Sequence, residues 1–504
     1  MLHPRQHLLL AAWAAELGSV FTFRILLTRV VVVTDGALAN IVLGRMLSLD
    51  KALEPNLSDE LLSIGGHRTM FSAGTRSAYW RLLRKGTADA FSPRAVREAF
   101  PDTLRILSNI VENMHRGGAS SEWDLNNVLL RFAMDMTSIV VFGEDAGATS
   151  TLQDSETDGL FSIMKRSLDE LTQRCVNPVR RHLFWRADVR NGANEFWRFR
   201  AAMQDLVKKV KARGPVRDSD HSIAAHLLRI KDPETGAGLS DDLLAGDIGM
   251  FFTAGLETSG NQITWILYLI SQHTDVEAKL AAELDAAGLL TTKSRPQPRT
   301  LQHADLSCLP YLSCICKEAM RFAPVAATGT TRIARQAMML GGYFIPRGSI
   351  LMVPFHAVHH STANFGRTAG VFNPDRWMTT PTATAHVTLQ DALETAKDVP
   401  SPGKSGDVPS VVSVGASTDA TAQQAYMPFS TGPRRCLGQP LALQMQLAAV
   451  AVLCARFRFE LAERMGGPEG VGNSSINRLT LQPKDGMWMR CFPRASGKTA
   501  IEAQ

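Results

Sequence analysis

The sequence predicts a mainly α-helical protein with a small β-rich lobe. Helical periodicity dominates residues 120–211. Residues 243–271 are almost continuously apolar, so they should form a helix that runs through the core. Strand patterns are shorter: residues 21–25 and 30–33 are rich in β-branched and aromatic side chains, and residues 479–489 are typical of a hairpin.

The composition fits a protein with a large core and argues against several other classes. Of the 504 residues, 45% are hydrophobic, and a net charge of +6 is mild for this length. No run combines dense Lys and Arg with aromatic residues, so we expect no nucleic-acid partner. The seven cysteines have irregular spacing and form no disulfide framework, which fits a reducing compartment. The apolar run at residues 8–15 is too short for a membrane span.

A helix over about residues 37–47 should follow the first two strands and a turn at residues 34–36. Further along, Trp80 and Arg84 share one face of a predicted helix. Taken alone, this spacing predicts a surface helix whose arginine stem covers apolar surface.

The predicted core helix is interrupted by the sequence Ala-Gly-Leu-Glu-Thr at residues 254–258. Ala254 and Gly255 remove side-chain bulk, while Glu257 and Thr258 place polar groups where a buried helix disfavours them. Two interpretations stay open for the pentapeptide alone. It is a functional site, or it is a threonine bonded to its own helix beside a glutamate in a structural ion pair.

Glu318 and Arg321 form an i,i+3 pair in a helix that begins near Pro310, a weak signal by itself. Residues 378–425 are rich in Ala, Thr, Ser, Val, Pro and Gly and lack aromatic residues, so they predict a low-complexity, partly disordered insertion. The tail at residues 495–504 should be frayed.

A glycine-punctuated loop ends in Cys436, and an apolar helical run to about Arg456 follows. At the start of a helix, free N–H groups and the helix dipole stabilise a thiolate. A lone thiolate in a dry pocket suits an axial ligand of haem iron. From Phe429 to Ala442 the loop reads Phe-x-x-Gly-x-Arg-x-Cys-x-Gly-x-x-x-Ala.

This loop resembles the haem-binding signature of the cytochrome P-450 family, and five motifs occur in the family's order between about residues 20 and 490. The resemblance implies a single cytochrome P-450 domain over residues 1–504. Its haem b, a thiolate-ligated iron protoporphyrin IX, would lie between the central long helix and the cysteine loop. The β-rich lobe would come from about residues 18–50, 325–376 and 476–492, and the helical lobe from the rest. The pattern of the central helices and the residues of the cysteine loop are most similar to those of the eukaryotic branch that contains fatty-acid and carotenoid hydroxylases.

The resemblance also implies roles for residues around the cysteine. Cys436 would be the axial ligand of the haem iron, and Phe429 would pack beside the sulfur. Gly432 and Gly438 would let the backbone approach it. The residues expected to bind the haem propionates are Trp80, Arg84, Arg332 and Arg434.

On the opposite side of the haem, Ala254 and Gly255 would make room for dioxygen. Thr258, with Glu257 and ordered water, would deliver protons. A buried ion network would stabilise the cysteine side, formed by Glu318, Arg321 and Arg376.

The implied activity is that of a haem-thiolate monooxygenase, which inserts one atom of dioxygen into a small apolar substrate such as a lipid, terpenoid, carotenoid or sterol. No P-loop or dinucleotide-binding Gly-x-Gly-x-x-Gly is present, so NAD(P)H-derived electrons should arrive through a reductase flavoprotein or a ferredoxin. Arg81, Lys85 and Arg435 form either a basic patch for that partner or a merely solvated face.

Two alternatives remain open. A P-450-fold isomerase, dehydratase or peroxygenase would need no reductase, although the intact Ala-Gly-x-Glu-Thr argues against it. A non-catalytic haem sensor or electron carrier belongs to another class. The N-terminal anchor and Pro-rich hinge of many eukaryotic members are not visible. We therefore expect an intracellular monomer, for which peripheral contact with a membrane is compatible. It would be membrane-associated or organellar only if the N-terminus is incomplete.

Overall fold

The computed structural model describes residues 5–25, 28–44, 48–52, 69–118, 121–152, 159–177, 179–217, 219–232, 234–378 and 418–494. Its α-helices are α1 (Gln6–Leu17), α2 (Gly36–Gly44), α3 (Ala78–Thr87), α4 (Pro93–Glu98), α5 (Phe100–Arg116), α6 (Leu125–Phe142), α7 (Leu160–Val176), α8 (Ala187–Ala212), α9 (Ile223–Arg229), α10 (Asp241–Gln272), α11 (Thr274–Ala286), α12 (Pro310–Phe322), α13 (Phe355–His360), α14 (Thr362–Phe365), α15 (Thr418–Ala425), α16 (Gln439–Arg456) and α17 (Gly467–Ser474). Its strands are β1 (Val20–Ile25), β2 (Thr28–Val33), β3 (Leu49–Ala52), β4 (Ser121–Asp124), β5 (Thr330–Ala334), β6 (Met338–Leu340), β7 (Tyr343–Ile345), β8 (Ile350–Val353), β9 (Phe457–Leu461), β10 (Ser475–Asn477), β11 (Leu481–Pro483) and β12 (Trp488–Pro493). The predominance of helix confirms the predicted fold class.

The main sheet has five strands in the order β1-β2-β8-β5-β3. Its first two strands form the predicted antiparallel pair, in which Phe21 faces Val32 across the sheet. Strand β2 is parallel to β8, and the other pairs are antiparallel. Val31 and Val33 are buried in one apolar cluster with residues of α2, so alternate residues of β2 contribute to the core between the sheet and that helix.

The C-terminal strands differ from the prediction. Residues 479–489 do not form a hairpin, because β11 pairs with the preceding strand β10. Strand β12 lies between β4 and β9 in a separate three-stranded sheet. Residues 476–492 therefore do not join the main sheet, and the tight turn near the central helix is at residues 478–480.

Helix α10 is the predicted core helix, and α6 packs along it. It begins at Asp241 because the Ser240 hydroxyl accepts a hydrogen bond from the Leu243 N–H at 3.3 Å. Within the described residues, α6 alone is long and apolar enough to cross a membrane, and 83% of that stretch is buried inside the protein. Packing against α10 accounts for its apolar character.

The predicted insertion at residues 378–425 falls largely outside the described residues, as does the predicted tail at 495–504. The last eight residues of the predicted insertion form helix α15. Ala425 at the end of α15 is buried directly against Gly36, the first residue of α2. This part of the predicted loop is thus an ordered helix that packs on the β-rich lobe.

Candidate active site

Cys436 lies three residues before helix α16, as predicted. Its backbone N–H donates to the Phe429 carbonyl at 3.0 Å, which closes the loop. The residue keeps an exposed surface, yet surrounding protein atoms desolvate the thiol enough to raise its pKa. Both observations hold if the thiol faces open space inside the protein. This placement suits a ligand for a large buried group.

The pKa of Cys436 corrects one expectation. Burial raises it, while the N–H groups of Gly438 and Gln439 and the charge of Arg84 act in the opposite direction. Burial is the stronger effect, so the start of the helix does not by itself produce a thiolate. A bound metal cation would displace the proton and supply the missing stabilisation.

The two loop glycines differ in their surroundings. Gly432 has a φ of 71°, and a Cβ there would lie 2.6 Å from the Leu43 carbonyl of α2. It therefore allows the loop to pack on α2. A Cβ at Gly438 would meet Phe91 at 3.7 Å and the Cys436 sulfur at 3.9 Å, which are ordinary contacts. Among the described residues, glycine is therefore required by close packing at Gly432 but not at Gly438.

Ala254 in the middle of α10 is exposed, whereas Phe252 and Leu256 beside it are buried. An exposed alanine within the core helix marks an open space next to that face. Phe91 connects this helix to the cysteine loop, since its ring stacks on Phe251 at 6.2 Å between centroids and also approaches Gly438. The structure therefore places α10 and the cysteine loop on either side of shared aromatic packing.

Gly255 does not face the open space. A Cβ at this position would lie 3.0 Å from the Thr137 hydroxyl of α6. Its missing side chain thus allows α10 and α6 to approach each other, which corrects the expectation that both small residues make room for a ligand. Thr258 donates its hydroxyl to the Ala254 carbonyl at 2.6 Å, the back-bonded geometry considered as an alternative.

Glu257 is the second polar residue of the pentapeptide, and burial raises its pKa from 4.5 to about 7. Its Oε2 accepts a hydrogen bond from the Thr480 hydroxyl at 3.2 Å. Among charged neighbours, Asp169 raises the pKa further and Arg478 lowers it. A carboxyl group that is protonated in part of the molecules at neutral pH suits a proton donor.

Several cations gather near the cysteine loop. Burial is the main cause that lowers their pKa values, and repulsion from Arg332 and Arg84 adds to it at Arg434. The lowered values are about 7 for Lys51, about 9 for Arg434, and about 10 for Arg84 and Arg332. The nearby carboxylate, Asp50, is already paired with Arg335 at 2.9 Å. The cluster therefore has an excess of buried positive charge.

Trp80 and three predicted arginines come together in this cluster. The guanidinium of Arg434 lies 4.3 Å from the Trp80 ring centroid and that of Arg84 lies 5.8 Å from it. Nη2 of Arg332 is buried without a hydrogen-bond partner among the described residues. The unsatisfied Arg332 donor and the excess positive charge beside an exposed thiol fit a buried group with carboxylate substituents, such as a haem with its propionates.

Lys51 is a member of the cluster that sequence reasoning missed. It lies on strand β3, and its Nζ donates to the Thr330 hydroxyl at 3.3 Å. Pairing of β3 with β5 places it directly opposite Arg332. The sequence carries no signal for this contact, because residues 51 and 332 meet only when the sheet forms.

The predicted ion network is present, with Glu318 and Arg321 fully buried and Arg376 13% exposed at its edge. Glu318 accepts two hydrogen bonds from Arg321, at 2.8 and 2.9 Å, and one from Arg376 at 2.9 Å. It also accepts from the Trp377 ring N–H at 2.9 Å and the Asn373 backbone N–H at 2.9 Å. Glu318 and Arg321 have no exposed surface, so each depends on the other for its charge.

Comparison with known proteins gives one consistent result. A family model described as cytochrome P450 matches residues 2–488. Cytochrome P450 monooxygenase sphH of Aspergillus fumigatus is 24% identical over 98% of this chain and 85% of that protein. Cytochrome P450 714D1 of Oryza sativa subsp. japonica is 26% identical over 97% of this chain and 78% of that protein. A bifunctional cytochrome P450/NADPH–P450 reductase of Fusarium oxysporum is 24% identical over 88% of this chain and 37% of that protein.

Proposed function

Because this chain belongs to the cytochrome P450 family and is a haem-dependent monooxygenase, we propose that it inserts one oxygen atom into an apolar substrate of the lipid, terpenoid, carotenoid or sterol kind. The observation that carries the proposal is the Cys436 thiol, which keeps exposed surface although burial raises its pKa, as expected for a thiol that faces an interior space. Apolar side chains near that space support an apolar substrate. The Phe91 ring, which approaches Gly438 of the cysteine loop, stacks on Phe251 of α10.

Cys436 would bind the haem iron, and Arg84, Arg332, Arg434 and Trp80 would hold the propionates of haem b. When bound, a thiolate-ligated haem activates dioxygen and, with two electrons and two protons, adds one oxygen atom to the substrate and releases the other as water. Ala254 would leave space beside the iron, because its small side chain borders the open region.

Glu257 and Thr258 would supply the protons. The raised pKa of Glu257 keeps a proton available near neutral pH. The two side chains have separate partners in the structure, Thr480 for Glu257 and the Ala254 carbonyl for Thr258. Ordered water would therefore have to carry the proton from the acid to the alcohol.

Electrons would come from a separate NADPH-dependent flavoprotein, or from a ferredoxin. The Fusarium oxysporum relative is named as a P450 and a P450 reductase in one chain, which favours the flavoprotein. Arg81 and Lys85 are exposed on α3, and Arg84 of the same helix donates to the Arg435 carbonyl at 2.9 Å. These contacts support a basic docking face beside the cysteine loop.

The proposal is tested with the haem-loaded protein, NADPH and a P450 reductase. We expect reductant-dependent dioxygen consumption and a product with one added oxygen atom for at least one class among fatty acids, terpenoids, sterols and carotenoids. Spectral titration of the haem with the same panel identifies the class that binds. Product formed without reductant would favour an isomerase, dehydratase or peroxygenase. Haem loading without turnover of any panel member would favour a sensor or electron carrier.

Substitution Thr258→Ala is expected to uncouple turnover. Loss of the hydroxyl removes the group that would organise water for proton transfer, so product formation should fall on the order of 10²-fold while hydrogen peroxide rises. Thr258→Ser keeps the hydroxyl and should keep most of the coupling. The ratio of product to reductant consumed is the measurement, and an unchanged ratio in Thr258→Ala would remove Thr258 from the proton route.

A further inference from the structure

Thr480 connects the acid of the central helix to a buried set of polar side chains. Its hydroxyl lies 3.2 Å from Oε2 of Glu257 and 3.0 Å from Nδ2 of Asn261. Thr480 is 2% exposed and Asn261 is fully buried. Thr480 belongs to the turn at residues 478–480, which is distant in sequence from α10. The contact therefore arises only in the folded chain.

Asn126 fixes the donor and acceptor roles in this set of hydrogen bonds. The Thr264 hydroxyl donates to the Gly260 carbonyl at 2.8 Å and accepts from Nδ2 of Asn126 at 3.3 Å. Nδ2 of Asn126 also donates to Oδ1 of Asn261 at 2.7 Å. Because that oxygen is an acceptor, the amide nitrogen of Asn261 is the donor to Thr480.

The direction of the bonds determines what Thr480 does. Its oxygen already accepts from Asn261, and among the described residues its own proton has one acceptor, Oε2 of Glu257. A buried hydroxyl proton without an acceptor would be costly, so Thr480 donates to Glu257. Oε1 of Glu257 accepts no hydrogen bond within the described part of the chain.

We propose that Thr480 is a positioning residue for the proton donor. It holds Oε2 of Glu257 as an acceptor and so keeps the acidic proton on Oε1, the oxygen that is free for transfer. This inference rests on the proposed function, in which Glu257 supplies a proton. Glu257 releases that proton from Oε1 to water in the site and regains one from solvent, so the step is balanced.

Two other charged groups near Glu257 affect the same proton. Arg478 in the turn pairs with Asp169 of helix α7, and both influence the Glu257 carboxyl. Within the described part of the chain neither forms a hydrogen bond with Glu257, whereas Thr480 does. Loss of the Thr480 hydroxyl removes a donor that stabilises the carboxylate, so the pKa of Glu257 should rise further.

The experiment compares the haem-loaded wild type with Thr480→Val, which keeps the shape and removes the hydroxyl. Coupled turnover of the wild type should fall as the pH rises through about 7, the pKa of Glu257. In Thr480→Val this alkaline limb should move to higher pH, and the peroxide fraction should rise several-fold. The infrared C=O stretch of the protonated carboxyl, assigned by its loss in Glu257→Gln, should move to higher frequency. Thr480→Ser should restore all three properties.

Thr291→Val is the matched control, because the Thr291 hydroxyl is buried without a partner among the described residues. The spectrum of the reduced carbon monoxide complex shows whether each variant keeps its haem ligation. If Thr480→Val loses haem ligation, Thr480→Ala is used in its place. An unchanged alkaline limb and carbonyl band would overturn the inference. A wild type without oxygenated product would instead contradict the proposed function, and the infrared comparison would still decide the role of Thr480.

Discussion

Cys436→Ala is expected to abolish the red-shifted Soret band of the reduced carbon monoxide complex. That band requires a thiolate ligand on the haem iron, and Cys436 is the exposed cysteine just before α16. Haem could still enter the cavity, because the cation cluster around Trp80 does not depend on the thiol. We therefore expect a complete loss of the band and of coupled turnover, with some haem retained.

The matched control is Cys491→Ala. Cys491 lies on strand β12 and is 1% exposed, so the change is made in a packed environment outside the site. It should keep the red-shifted band. A band that persists in Cys436→Ala would contradict the ligand assignment, and loss of the band in both variants would indicate a general effect of substitution on folding.

Glu318→Gln is expected to cause the largest loss of stability. Glu318 accepts from Arg321, Arg376, Asn373 and Trp377, and an amide nitrogen in its place would face some of these donors. Arg321 would remain buried without its counter-charge. Breaking a buried ion pair on one side costs about 3–5 kcal/mol. The free energy of unfolding, measured by urea titration followed through tryptophan fluorescence, should fall by about this amount.

Glu98→Gln provides the comparison for a surface pair. Glu98 lies 2.8 Å from Arg94, and both side chains are largely exposed, so solvent already screens their charges. We expect no measurable change in the urea midpoint of this variant. Equal stability of Glu318→Gln and wild type would show that the buried network contributes nothing net to the fold.

Local patterns in the sequence were sufficient for several elements. The cysteine loop and α16, the core helix α10 and the strand pair of residues 20–33 all follow from signals within one short stretch. A capping serine, an apolar run or a β-branched run acts on its own neighbours, so the same physics operates before the chain has folded. The predicted partners Glu318, Arg321 and Arg376 were also found from sequence, through the resemblance to the family.

Contacts between distant residues decided the rest. Gly255 serves packing against Thr137, and Gly432 serves packing against Leu43, although both were expected to lie at the reactive group. The hairpin expected over residues 479–489 was wrong because β12 finds its partners at residues 121 and 457 onwards. Strand pairing and helix packing choose among many compatible partners, and a single sequence does not rank them.

The sequence by itself determined that Cys436 stands at the start of a helix and that small and polar residues interrupt the apolar pattern of the core helix. Only the tertiary structure decided the protonation of both sites. Burial raises the pKa of the Cys436 thiol and of the Glu257 carboxyl because desolvation depends on every atom packed around a group. Those atoms come from distant parts of the chain, as do Lys51 and Thr480, and the fold alone brings them together.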